Sequence, residues 1–176
     1  MKGQVIWITG MPGSGKTTLA KALQQITQEH QPVLLDGDKL RQALNNHDYS
    51  LAGRKALSQQ YAGLAHMLAE QGHLVIVSVV AMYREVHAWN RANMTRYTEV
   101  LLKPSSEVLI QRNKKGLYLP GSDFHQSHTE QDQLKIEYPL SPEIIFDSGS
   151  QTPENMAKEL LEYLNQQDAG KSQYAR

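Results

Sequence analysis

Five short apolar runs punctuate the chain: "QVIWIT", "PVLLD", "HLVIVSVV", "TEVLLK" and "EIIFD". None alternates apolar with polar positions as a strand with one wet face does. Near-continuous Val, Ile and Leu instead marks strands covered on both faces of a parallel sheet. The intervening stretches carry helical spacing and predict helices over about 16–29, 52–71, 86–94 and 106–113. A last helix is expected from Pro153, with Thr152 as N-cap and proline at the first helical position. Strand and helix in alternation predict one α/β domain over 1–176, a three-layer sandwich with a five-stranded parallel sheet and helices on both faces.

One stretch breaks the alternation. Residues 116–142, "GLYLPGSDFHQSHTEQDQLKIEYPLSP", are polar and rich in turn formers. A loop this long in a compact domain is commonly functional, and a lid over about 113–142 is expected, mobile alone and ordered over bound substrates. The tail from about 167 has little to bury and is expected to fray.

The 176 residues carry 18 Lys plus Arg against 18 Asp plus Glu, so no general affinity for nucleic acid or anionic membrane is expected. Phosphate recognition has to come from a few placed residues. Cysteine is absent, which excludes disulfides and thiolate chemistry. The longest apolar run is too short to cross a bilayer, and the N-terminus shows no signal-peptide pattern. A cytoplasmic protein is expected.

Directly after the first run comes "GMPGSGKTT". Gly10, Gly13, Gly15, Lys16 and Thr17 complete G-x-x-x-x-G-K-[ST], between a predicted strand and a predicted helix. The glycines let successive N–H groups turn inward as a nest for phosphate oxygens, and the helix start adds its donors and dipole. Ser14 belongs to this loop. Lys16 is expected to reach the β- and γ-phosphates, Thr17 to ligate Mg²⁺, and Thr18 to add a phosphate contact. The fold is therefore read as a P-loop NTPase sandwich that binds a nucleoside triphosphate and its metal. The loop does not name the acceptor.

Asp36 and Asp38 in "LLDGDKLR" stand just past an apolar strand, where open α/β sheets bind ligands. Phosphoryl transfer to a hydroxyl needs a carboxylate to orient the acceptor and take its proton, and acid beside the metal. Asp36 and Asp38 can supply both. Asp38 can equally be the N-cap of a short helix over 39–44, an explanation that Asp36, still on the strand, lacks. Arg41, one turn beyond Asp38, and Arg54 suit an anionic acceptor through bidentate contacts.

In order along the chain, "GMPGSGKTTLA", "LLDGDKLRQAL", "YSLAGR", "MYRE", "EVLLKPSSEVL" and "RNKKGLY" resemble the adenylylsulfate kinases, which use ATP and Mg²⁺ to phosphorylate the ribose 3′-hydroxyl of adenylyl sulfate. The resemblance runs from about Val5 to Phe146. It implies that Asp36 is the catalytic carboxylate near Mg²⁺ and that Arg41 and Arg54 hold the acceptor's anionic group. It places Tyr49 where the family stacks an aromatic ring on the acceptor base, and Arg112 and Lys115 in the lid over ATP. Family members commonly pair, so a homodimer is the assembly it suggests.

The sequence also departs from the family. "FISPYR" reads "VVAMYR" over 79–84, Asn113 replaces an acid, and Leu57 stands where an asparagine is expected. The lid's "FTGI", which completes the adenine sandwich, is missing, leaving Phe124 as the lid's sole phenylalanine. "HAWNRANMTRYTEV" resembles a branch that phosphorylates cytidine diphosphoramidate. Trp89 itself is read as a core anchor. His125 and His128 lack a third metal ligand, His66 and His73 read as surface histidines, and Met67, Met82 and Met94 as core filling. The function expected is ATP-dependent phosphorylation of an activated nucleotide, favouring cytidine diphosphoramidate over adenylyl sulfate. A non-catalytic nucleotide switch is the reading from another class.

Overall fold

The structure is a computed structural model that describes residues 3–112, 116 and 136–173. Five parallel strands, β1 (Gln4–Gly10), β2 (Val33–Asp36), β3 (Leu74–Ser78), β4 (Tyr97–Leu102) and β5 (Ile144–Phe146), form one sheet in the order β2-β3-β1-β4-β5. The helices are α1 (Lys16–Ile26), α2 (Gly37–Ala43), α3 (Leu51–Glu70), α4 (Arg84–Asn93), α5 (Ser106–Arg112) and α6 (Pro153–Gln173).

The unbroken apolar strands are explained by two cores. On β1, Val5 and Trp7 pack with Leu57, Tyr61 and Val86 of α3 and α4. Ile6 and Ile8, pointing the other way, pack with Leu19 and Leu23 of α1 and Met156 and Leu160 of α6. Side chains alternate across the sheet, and since helices cover both faces both sets are apolar. Trp89 packs at the edge of the first core, its ring edge-on to His66 at 5.8 Å.

The boundaries follow local chemistry. Thr152 Oγ1 accepts the Asn155 amide at 3.3 Å and caps α6. α1 stops at Ile26, short of the expected end, and a 3-10 turn over Gln28–His30 follows. The tail expected to fray from about 167 is helical to Gln173, and Asp168 pairs with Arg96. Met82 and Met94 are buried as expected, but Met67 is on the surface. The expected lid lies outside the described residues between 117 and 135, together with Phe124, His125 and His128. Among the described residues no helix is long and apolar enough to cross a membrane.

Candidate active site

β1 is central, so the loop leaving its carboxyl end opens at the middle of the sheet. Gly10 begins it at φ 149°, where a Cβ would lie 2.5 Å from the Leu102 carbonyl and 2.8 Å from Ser14 Oγ. Gly15 ends it in the left-handed region at φ 94° as the N-cap of α1. No other residue fits both turns at low cost. Lys16 Nζ donates to the carbonyls of Gly10 (2.9 Å) and Met11 (2.8 Å), which hold the ammonium over the loop. Gly13, Gly15, Thr17 and Thr18 line the adjoining cavity of about 730 Å³. Ser14 does not: its side chain is fully buried and its amide donates to Met11 O at 3.1 Å.

β3 separates β1 from β2, and the two residues expected to meet a metal converge across it. Thr17 Oγ1 donates to Asp36 Oδ2 at 2.7 Å, with Ser78 Oγ at the end of β3 3.4 Å from Thr17 Oγ1. Asp36 is buried, and its second oxygen, Oδ1, accepts the amides of Asp38 (3.1 Å) and Lys39 (3.3 Å). This corrects the capping reading: α2 begins at Gly37, so Asp36 is its N-cap and Asp38 sits in its first turn. The strand runs straight into the helix, and the last strand residue performs both tasks. Two hydroxyls and a carboxylate form an all-oxygen donor set, suited to a hard divalent cation. Among the described residues no cluster of three His, Cys, Asp or Glu exists.

Along the same cavity, Asp38, Arg41, Tyr49 and Arg54 gather on one side. The loop after α2 is wrapped around Arg41, whose guanidinium donates to Asn46 Oδ1 at 2.7 Å and to the Asp48 carbonyl at 2.9 Å. It also lies over the Tyr49 ring, 4.4 Å from the centroid, with the Arg54 guanidinium 5.5 Å away. Arg54 Nε donates to Tyr49 O at 2.7 Å. Below them Tyr61 donates to Gly37 O at 3.2 Å, and burial pushes its phenol up to about 12. Leu57 is not a polar contact at all but a core residue.

On the opposite side Arg112, at the end of α5, reaches Gly13 O at 3.4 Å and Ser148 O at 2.5 Å. Ser148 Oγ in turn donates to Ser14 O at 2.6 Å. The loop after β5 is thereby stitched to the phosphate loop. Lys115 lies outside the described residues. Sequence reasoning missed Ser78, Ser148 and Tyr61. Ser78 had a visible signal, as a polar residue interrupting the apolar run of β3. Ser148 and Tyr61 had none.

The chain resembles known proteins in both sequence and fold. The adenylylsulphate kinase family profile matches residues 2–147. The cytidine diphosphoramidate kinase of Campylobacter jejuni is 38% identical over 116 residues, 65% of this chain and 68% of that one. The adenylyl-sulfate kinase of Deinococcus deserti is 33% identical over 165 residues, 92% and 91% of the two chains. Among solved structures, the Mycobacterium tuberculosis APS kinase in complex with AMPPNP and APS superposes with a TM-score of 0.77 at 25% identity, covering 93% of this chain and 98% of that one. A phosphate loop on the central strand, a hydroxyl–carboxylate pair beside it and a profile match over most of the chain converge: this chain belongs to the adenylylsulphate kinase family, a family of phosphotransferases that use ATP.

Proposed function

We propose that this chain transfers the γ-phosphoryl group of ATP to the ribose 3′-hydroxyl of an activated nucleotide, with cytidine diphosphoramidate as the favoured acceptor. The observation that carries the reading is one continuous cavity joining the phosphate loop, Asp36 and the Arg41–Tyr49–Arg54 group. A nucleotide switch needs only the first of these.

The backbone of Gly13 and Gly15 and the Lys16 ammonium hold the triphosphate. Thr17 and Asp36, with Ser78 beside them, would hold Mg²⁺, which would supply charge neutralisation on the phosphates. Arg41 and Arg54 hold the anionic group of the acceptor and so fix its ribose near the carboxylates. The acceptor oxygen forms the new bond to Pγ, the bond from Pγ to the ADP oxygen breaks, and the hydroxyl proton passes to a carboxylate. Asp36 is assigned that role, and Asp38, exposed on the first turn of α2, contacts the acceptor. Arg112 screens the triphosphate from the other side.

Two features favour a pyrimidine. The "FTGI" phenylalanine that would give a purine its second stacking face is missing, and base–aromatic stacking is worth about 1–3 kcal/mol per base. The Trp89-Asn90-Arg91 stretch supports the same branch, as does the likeness to the Campylobacter kinase. A second reading, adenylyl sulfate as acceptor, is supported by the relatives that match over nearly the whole chain. ADP release coupled to each acceptor separates the two. The proposal expects a higher kcat/KM with cytidine diphosphoramidate, and a higher value with adenylyl sulfate reverses the ranking. ADP release that ignores every activated nucleotide returns the chain to the switch class.

A further inference from the structure

The Trp-Asn-Arg stretch builds something the proposed reaction does not use directly. Glu99, in the middle of β4 and opposite Trp7 of the central strand, is almost wholly buried. Its carboxylate accepts from the Tyr97 hydroxyl at 2.8 Å, from His87 Nδ1, and from Arg91 at 2.8 Å. Arg91 does not stop there. It makes a two-pronged contact with Glu143, 2.5 Å at Oε1 and 3.2 Å at Oε2, and donates to the Ser141 carbonyl at 2.5 Å. Glu143 closes the ring by accepting the Glu99 amide at 2.7 Å. One guanidinium thus ties α4 and β4 to the segment entering β5.

That segment is also held at its other end. The Glu137 amide donates to Met82 O at 3.0 Å, and Glu137 Oε2 accepts the Arg84 amide at 2.9 Å at the start of α4. Ile136, Met82 and Tyr83 all line the cavity. Lys55, next to Arg54, lies over the Tyr83 ring at 5.7 Å, so this wall borders the acceptor side. Residues 136–143 are therefore a strut between two fixed points, one on the cavity wall and one on Arg91.

A buried carboxylate with three donors is a poor way to gain stability, because apolar replacements of the same volume are often as stable. Such a cluster does fix geometry, since a bidentate arginine admits few arrangements. We infer that Arg91 is a positioning residue for the acceptor: by locking Ser141 and Glu143 to buried Glu99, it sets where the 136–143 strut holds Ile136 and the Met82–Tyr83 wall. The inference rests on the proposed kinase reading for its kinetic consequence, though not for its structural one.

Arg91→Lys keeps the charge but cannot bridge all three partners, and Glu143→Gln keeps the shape but removes the charge from the fork. Each is expected to raise the acceptor KM by about tenfold while leaving the ATP KM within about twofold. Hydrogen exchange at the Glu137 amide, which needs no acceptor, should quicken by at least about tenfold in both variants. If one variant does not fold, the other carries the test. A lowered Tm with the acceptor KM unchanged makes the cluster a plain stabiliser and overturns the inference, as does unchanged exchange at Glu137. Wild-type protein that phosphorylates no activated nucleotide defeats the kinase reading instead, and the exchange measurement still decides whether Arg91 holds the strut.

Discussion

Thr17 Oγ1 and Asp36 Oδ2 meet at 2.7 Å across an intervening strand, while the other oxygen of Asp36 caps α2. One carboxylate thus links the start of α1 to the start of α2. The two jobs can be separated. Asp36→Asn keeps an acceptor for the cap but loses the charge, so its stability should stay near wild type. Asp36→Ala should lose about 1 kcal/mol from the lost cap. Both should reduce turnover at least about a hundredfold with ATP affinity largely retained, whereas Lys16→Ala should lose turnover and ATP affinity together. Denaturant unfolding, steady-state kinetics and calorimetric ATP titration read these. Near-normal turnover in the Asn variant moves the proton to Asp38.

Arg41 both shapes its loop and faces the cavity, through Asn46, Asp48 and the Tyr49 ring. Arg41→Ala should raise the acceptor KM by about tenfold or more, with the ATP KM nearly unchanged, since truncating a charged contact of this kind costs about 2–5 kcal/mol in binding. Parallel rises in both KM values would remove Arg41 from the acceptor side.

Gly10 has no room for a side chain. The built Cβ lies 2.5 Å from the Leu102 carbonyl, on a neighbouring strand that cannot retreat without breaking the sheet. Gly10→Ala should therefore lose at least about 2 kcal/mol of stability. Urea unfolding checks this, and a wild-type midpoint would mean that the loop and β4 yield together.

Glu99 predicts a pH dependence. Burial opposes its ionisation, but hydrogen bonds from His87, Tyr97 and Arg91 outweigh burial and hold the carboxyl below its ordinary 4.5. As pH falls the unfolded chain takes up this proton first, so stability is lost on acidification. The contribution is complete above about 4.5 and disappears as pH falls through the lower folded value. The unfolding free energy of wild type minus that of Glu99→Gln should be level above about 4.5 and fall as pH drops below it. A constant difference would show that the fold leaves the Glu99 carboxyl at its ordinary value, and a difference that rises on acidification would show that burial prevails over the hydrogen bonds.

The sequence alone determined the layered α/β fold and the phosphate loop. Both are local patterns: apolar runs alternating with helical spacing point to a covered parallel sheet, and G-x-x-x-x-G-K-T carries its own turn chemistry. It also named Asp36, Arg41 and Arg54 from residue chemistry beside a strand end, and Tyr49 through the family resemblance. What it could not assign was which aspartate caps α2, since that depends on whether the helix begins one residue or three after the strand. Only the tertiary structure brought Ser78 and Thr17 together, because strand order is fixed by packing between distant segments. It alone joined Ser148 to Ser14, 134 residues apart, and turned Glu99, read as one polar letter in an apolar strand, into the anchor of Arg91. Contacts of that kind form between side chains whose separation in sequence says nothing of their distance in the fold.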